Sequence, residues 1–380
     1  MRTKGIMVGE SIEQSVAAVC VMASRTRDQG KGRIVSFSPK VFIPLTRLCR
    51  DFCAYCTFRQ SPHQDKRFYM SPEEVVEVAR AGEKVGCREA LFVLGERPEQ
   101  RYPEAQRWLR NHGYDSTLEY LREMCALLLK ETSLYPHSNP GTLSRGELQA
   151  LKEVNASMGL MLESTSLRLC QPGEPHEHAP SKRPRVRLKT LRLAGELKVA
   201  FTTGLLIGIG ETSQERVEAL LAIRDLQEQY GHIQEVIIQN FRAKPGTPME
   251  HAPEASVEEM LETVATARMI LGEKMNLQVP PNLSLNNGSA SYPVYLEAGI
   301  NDWGGISPVT IDYVNPEAPW PHIAQLRQEM DERGFELRAR FPVYPEYILG
   351  KRDYLPESLR DRLRSEADPQ GYIPTFARVS

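Results

Sequence analysis

The sequence predicts an α/β fold, a TIM-type (βα)8 or near-complete β/α barrel with an N-terminal helical lead-in and a C-terminal extension. Three observations predict it. Short apolar, β-rich runs alternate with helix-like segments over about 300 residues, an order that favours a parallel sheet. About eight such units occur, the number a closed barrel uses. An open doubly wound sheet usually has fewer strands and a Gly-x-Gly-x-x-Gly fingerprint, which is missing here.

Residues 1–40 read as the lead-in, 41–320 as the barrel and 321–380 as an extension, rich in Arg, Glu and Pro, packed on the barrel. The expected strands are 41–48, 89–94, 133–137, 157–162, 199–207, 233–241 and 277–279, with a weaker one near Asp302. Helix starts separate them. In Ser71-Pro-Glu-Glu, Ser71 is placed to N-cap, Pro72 suits the first turn and Glu74 completes a capping box. Ser144-Arg-Gly-Glu, Thr212-Ser-Gln-Glu and Ser256-Val-Glu-Glu repeat the pattern. Between Pro172 and Pro184, four prolines and two histidines mark a long loop.

Hydrophobic content of 41%, charged content of 25% and a formal net charge of -2 describe an ordinary globular protein with no general attraction to polyanions. Nucleic acid is therefore not an expected partner. No apolar run reaches the roughly 20 residues of a membrane helix, so no membrane partner is expected either. After Met1-Arg-Thr-Lys-Gly, the residues Glu10, Glu13 and Gln14 interrupt any apolar signal segment. The protein reads as cytoplasmic.

Cys20, Cys49, Cys53, Cys56, Cys87, Cys125 and Cys170 make an odd total, unsuited to a disulfide framework in a reducing compartment. Only Cys49, Cys53 and Cys56 are grouped, at C-x3-C-x2-C spacing just after the first strand. Three thiols so placed can reach one metal centre. A zinc site normally takes four protein ligands, or three plus water, and no second pair or histidine lies at motif spacing. A cubane cluster has four irons, so three thiolates leave one iron open for a small molecule. Phe52, Tyr55 and Phe58 suit a dry pocket around such a centre. The other four cysteines read as small core or incidental thiols.

In a barrel, ligands sit at the C-terminal ends of strands. The second strand ends in Gly95-Glu96, which also fits an ordinary turn, and the fourth runs to Glu163, which also fits a solvated strand end. Arg187 opens the next helix, with Arg185 as a competing cation. The fifth strand carries Gly204, Gly208 and Gly210 before Glu211; the glycines let a flat ring approach the backbone, or serve tight packing, and Glu211 can fix the loop.

Together these stretches resemble a family of radical S-adenosylmethionine (SAM) enzymes. Phe42-Ile-Pro-Leu-Thr-Arg-Leu-Cys-Arg-Asp-Phe-Cys-Ala-Tyr-Cys-Thr-Phe, Leu94-Gly-Glu-Arg-Pro-Glu and Phe201-Thr-Thr-Gly-Leu-Leu-Ile-Gly-Ile-Gly-Glu-Thr are similar to the first subunit of 7,8-didemethyl-8-hydroxy-5-deazariboflavin (FO) synthase. So are Gln239-Asn-Phe-Arg-Ala-Lys and Asp302-Trp-Gly-Gly-Ile-Ser-Pro-Val-Thr-Ile-Asp. That family makes the deazaflavin chromophore of coenzyme F420, and the resemblance covers about residues 35–345. It implies a [4Fe–4S] cluster on Cys49, Cys53 and Cys56 whose open iron chelates the methionine end of SAM. It also implies SAM contacts at Tyr55 (adenine), Gly95 and Glu96 (ammonium), Glu163 (ribose), Arg187 (carboxylate), and the Gly208 and Glu211 turn.

By the same resemblance the substrate is the adduct of tyrosine and 5-amino-6-(D-ribitylamino)uracil, which a companion subunit makes, and an external one-electron donor such as ferredoxin or flavodoxin reduces the cluster. Gln239, Asn240, Asn287, Asp302 and Asp312, at the ends of later strands, are expected to meet substrate, with Asn282, Asn286, Ser307 and Thr310 nearby. His137 and His176 are expected to move protons, although a lone histidine is more often structural. The rival readings are the companion subunit itself, which shares the Trp-Gly-Gly-Ile-Ser-Pro region, and a non-catalytic metal-binding protein.

Overall fold

The structure, a computed structural model, describes residues 3–64, 67–286, 289–290 and 292–374. Eight parallel strands close into a barrel: β1 (Ile34–Thr46), β2 (Glu89–Leu94), β3 (Tyr135–Asn139), β4 (Ser157–Gly159), β5 (Phe201–Ile207), β6 (Ile233–Asn240), β7 (Leu277–Gln278) and β8 (Asp302–Ile306). They lie in chain order around the barrel, and β8 pairs back onto β1 with Ser38 opposite Gly305. Helix α1 (Thr3–Lys31) precedes the barrel, and Arg27 ties it down by donating to the carbonyls of Leu296 and Ile300 at 2.9 and 3.0 Å. Helices α2 (Pro72–Lys84), α3 (Pro103–Asn111), α4 (Thr117–Glu131), α5 (Arg145–Lys152), α6 (Pro184–Glu196), α7 (Ser213–Tyr230) and α8 (Val257–Leu271) fill the connections between strands.

The four expected helix starts are all capping boxes. Ser71, Ser144, Thr212 and Ser256 each accept from the backbone of a glutamate three residues on, whose carboxylate takes the cap N–H in return. No helix among the described residues is long and apolar enough to cross a membrane.

The strands differ from expectation in three places. β1 starts at Ile34, seven residues before the expected run and inside the expected lead-in, because Ser36, Ser38 and Lys40 turn polar side chains inward and hide the apolar pattern. β4 stops at Gly159, since the chain beyond it bends to a left-handed Glu163 (φ 64°). Leu162 N–H then bonds the Thr203 hydroxyl, and Glu163 N–H the Gly204 carbonyl. Third, the C-terminal segment supplies a ninth strand, β9 (Glu336–Ala339), parallel to the first half of β1 from Ile34 to Phe37.

A barrel lumen is normally filled by branched apolar side chains. Here part of it holds charge. Lys40 pairs with Glu89 at 2.8 Å, and Arg340 bridges Asp302 at 2.7 Å and Glu235 at 2.9 Å. The Trp303-Gly-Gly segment makes room for this layer: a Cβ on Gly305 would stand 1.7 Å from Lys40 Cε, and one on Gly304 (φ 67°) 1.9 Å from Gln278 Nε2.

Candidate functional site

The cysteine loop follows β1 directly and is held from two sides by backbone hydrogen bonds. Arg50 N–H donates to the Glu96 carbonyl at 2.7 Å, Phe52 N–H to that of His178 at 2.9 Å and Ala54 N–H to that of Pro175 at 2.9 Å. The Pro-rich loop is thus the brace of the cysteine loop. Gly95 allows the second strand to end against it, because any Cβ there would lie 1.9 Å from the Leu48 carbonyl oxygen and 2.7 Å from Cys49 Cβ. The next amide, Glu96 N–H, donates to Cys49 Sγ at 3.2 Å.

These features fit a thiolate cluster. Burial pushes the Cys49 thiol up to about 12 and the Cys53 thiol higher still, so metal must displace their protons when it binds. Amide donation to sulfur stabilises the resulting charge. Among the described residues no three His, Cys, Asp or Glu side chains converge on a single-ion site. Cys49, Cys53 and Cys56 lie on one loop, near enough for their charges to act on one another.

A cavity of about 370 Å³ runs from Cys56, Tyr55 and Phe58 into the lumen, past Leu91, Leu160, Leu206 and Ile237, to Lys40, Glu89, His137 and Arg340. At the cluster end Glu163 is the hub. Its carboxylate accepts from the Tyr55 hydroxyl at 2.5 Å, lies 3.2 Å from His176 Nε2 and pairs with Lys182. Burial opposes its charge, but Lys182, His176 and Arg187 outweigh burial and hold it well below the usual carboxylate range. Burial and Glu163 raise the Tyr55 phenol, which therefore stays protonated and donates.

Several expected site residues occupy other roles. Arg187 is buried and committed to backbone, donating to the carbonyls of Met161 and, at 3.2 Å, Ser181; it holds the chain leaving β4, while Lys182 lines the cavity. Lys182 was missed by sequence reasoning, and its only signal is a cation between Pro180 and Pro184 ahead of α6. His176 is packed behind Tyr55 and Glu163 and does not line the cavity. Gly208 (φ 95°) and Glu211 form a closed turn in which Glu211 accepts from the amides of Gly208 and Ile209, both at 2.9 Å, and from Arg216 at 2.8 Å. Neither faces the cavity. Glu96 accepts from Thr142 N–H at 3.0 Å and its hydroxyl at 2.7 Å, so its carboxylate ties the second strand end to the third.

At the other end His137 lines the cavity, but both ring nitrogens are engaged, Nδ1 with Ser157 Oγ at 2.7 Å and Nε2 with Asn139 Oδ1 at 3.1 Å. Burial, partly countered by Glu89, pulls its pKa down to about 4. Gln239, Asn240 and Asp312 line the cavity. Asp302 does not: it is fully buried at the start of β8, bonded by Arg340, Ser36 and Gly304 N–H. Its place at the N-terminal end of a strand, away from the βα loops, puts it in the lumen framework. Asn287 lies outside the described residues.

Residues 43–223 match the sequence profile of the Radical SAM superfamily. The chain is 53% identical over 339 residues to the 7,8-didemethyl-8-hydroxy-5-deazariboflavin synthase of Methanopyrus kandleri, covering 89% of this chain and 99% of that protein. It is 48% identical over 371 residues to the FO synthase of Streptomyces avermitilis, covering 95% of this chain but 42% of that longer protein. Among solved structures, the FeFe-hydrogenase maturase HydG from Carboxydothermus hydrogenoformans superposes with a TM-score of 0.67 at 19% identity, covering 90% of this chain and 80% of that one. Methylornithine synthase (PylB) does so at 0.64 and 17%, covering 85% and 89%. At these identities the two structures support the barrel alone.

Proposed function

The chain belongs to the FO synthase family of radical SAM enzymes, and from that premise we propose that it converts 5-amino-5-(4-hydroxybenzyl)-6-(D-ribitylimino)-5,6-dihydrouracil and SAM into FO, ammonia, 5′-deoxyadenosine and methionine. When bound, a [4Fe–4S] cluster and SAM supply one-electron cleavage of a C–S bond and a hydrogen-abstracting radical.

This chain's residues position and shield. Cys49, Cys53 and Cys56 hold the cluster, with the Glu96 amide on one sulfur. Lys182 and Glu163, paired where the cavity meets the cysteine loop, would offer charge to the polar parts of SAM. The apolar middle of the cavity, from Leu91 to Leu206 and Ile237, excludes water from the reacting atoms. Beyond it, Lys40, Glu89 and Thr202 offer mixed donors and acceptors suited to the hydroxyls of a ribityl chain.

The observation that carries this reading is a single cavity lined by the third cysteine, by apolar side chains and by polar groups of the lumen. A companion activity is the proposed source of the adduct; the chain spans about two-fifths of the length of the Streptomyces FO synthase it matches. A ferredoxin- or flavodoxin-type protein is the proposed electron donor.

The test is anaerobic reconstitution with iron and sulfide, then dithionite, SAM and the synthetic adduct. Deazaflavin fluorescence with stoichiometric 5′-deoxyadenosine is expected. No 5′-deoxyadenosine at all would sink the enzymatic reading. Product formed only from tyrosine and 5-amino-6-(D-ribitylamino)uracil would reassign the chain to the companion reaction.

A further inference from the structure

We propose that Gln278 determines specificity by reading the imide edge of the pyrimidinedione ring with its carboxamide; this rests on the substrate reading above. Gln278 ends β7, in register with Ile237 on β6 and Asp302 on β8, and it lines the cavity. Along β6 the alternate residues Glu235, Ile237 and Gln239 line the cavity too. Gln278 is therefore level with an apolar side chain, one inward-facing position beyond Glu235.

The charged groups of the lumen satisfy one another, Lys40 with Glu89, and Arg340 with Asp302 and Glu235. Gln278 takes no part in this. It is 7% exposed, and its side-chain amide has no hydrogen-bond partner among the described residues. The Oδ1 atoms of Asn240 and Asn282 are unpaired but sealed in protein, whereas Oε1 and Nε2 of Gln278 keep surface open to the cavity that the residue lines. Gly304 makes room for the amide: a Cβ there would stand 1.9 Å from Nε2 and 2.3 Å from Cδ, so the amide lies against bare backbone of β8.

Packing does not call for an amide at this position. Branched apolar side chains usually fill a barrel, and Ile237 does so alongside. A buried amide without partners costs about 1–3 kcal/mol, so this one is favourable only when the cavity supplies both a donor and an acceptor. A ligand that displaces water from it must bring the same pair.

The pair belongs to a cyclic imide. A carboxamide holds its donor and acceptor side by side in one plane, and an imide presents the complement, a ring N–H next to a carbonyl, so that two parallel hydrogen bonds form. One N–H and one carbonyl are enough. A ribityl hydroxyl is a single oxygen and meets the donor or the acceptor in line, but not both.

FO carries one imide N–H beside carbonyls and is fluorescent, so binding can be read without turnover. Reconstituted wild-type protein, Gln278→Ala and Gln239→Ala would each be titrated with FO and with N3-methyl-FO. Methylation is expected to weaken binding to wild type about tenfold, the worth of one buried hydrogen bond, and to cost less than about threefold in Gln278→Ala. Gln239→Ala should keep the full penalty. Gln278→Met, which preserves the volume, should bind FO about tenfold more weakly while its thermal midpoint holds or rises.

A methylation penalty that persists in Gln278→Ala overturns the proposal, as does one that disappears in Gln239→Ala. A lowered midpoint in Gln278→Met, with both ligands weakened equally, makes the residue structural and overturns it as well. Failure of the functional reading looks different: wild type would then make no FO from the adduct, whatever the variants bind.

Discussion

The two ends of the cavity are built on opposite principles. At the cysteine end the polar groups are held by loops, and Glu163 gathers Tyr55, His176 and Lys182 as partners. At the lumen end, Lys40 with Glu89, and Arg340 with Asp302 and Glu235, are satisfied across strands by one another. The comparison teaches that the first region sets a charged pair beside the cysteine loop, whereas the second pairs its charges across strands inside the lumen. The second is a platform whose rigidity comes from burial, because a buried ion that loses its partner is costly.

The largest expected effect breaks the cluster end alone. Cys53→Ala should reduce SAM cleavage to background, whereas Cys125→Ala, whose thiol is buried among Ser138 and Asn155 behind the barrel wall, should retain it. 5′-Deoxyadenosine release measures both, and equal loss would show that the grouping of the three cysteines is not what matters.

Next, Arg340→Met strikes the lumen end. Two buried carboxylates lose their cation, and unfolding free energy should fall by about 3–5 kcal/mol in a denaturant titration. A change below about 1 kcal/mol would mean that the platform is not under this electrostatic constraint.

His137 gives a pH signature of the same platform. Its folded pKa of about 4 lies below the unfolded value, so the unfolded chain binds more protons between about 4 and 6.5. Its contribution is thus present above pH 6.5 and lost as the pH falls through that window, by about 3 kcal/mol in all. His137→Gln should flatten the acid side of the stability profile by about that amount; an unchanged slope would place the acid sensitivity elsewhere.

The smallest effect sharpens the cluster end. Lys182→Met should weaken SAM binding to the reconstituted protein about tenfold, in keeping with the loss of one charge-assisted contact. Unaltered SAM affinity would leave Lys182 as a partner of Glu163 only.

Much of this was legible in the sequence where the signal is local. The capping boxes at Ser71, Ser144, Thr212 and Ser256 are complete within four residues, and all four form. β1 was legible only in its second half, since Ser36, Ser38 and Lys40 break the continuous apolar pattern expected of a strand buried on both faces. β9 was missed for the same reason, with Glu336 and Arg338 alternating against Leu337 and Ala339. Arg187 and Asp302 drew attention by lying near strand ends. Where each side chain points depends on neighbours far away in the chain.

By itself, the sequence determined the order of strands and helices, the helix starts and the spacing of Cys49, Cys53 and Cys56, all of which depend on residues a few positions apart. Tertiary structure alone decided that Lys182 and not Arg187 lines the cavity, that Asp302 belongs to Arg340, and that Asn282 belongs to Asp312. The reason is physical. Hydrogen bonds and ion pairs choose partners by distance in space, and closure of β8 onto β1 brings together residues more than two hundred positions apart, as with Ser36 and Asp302.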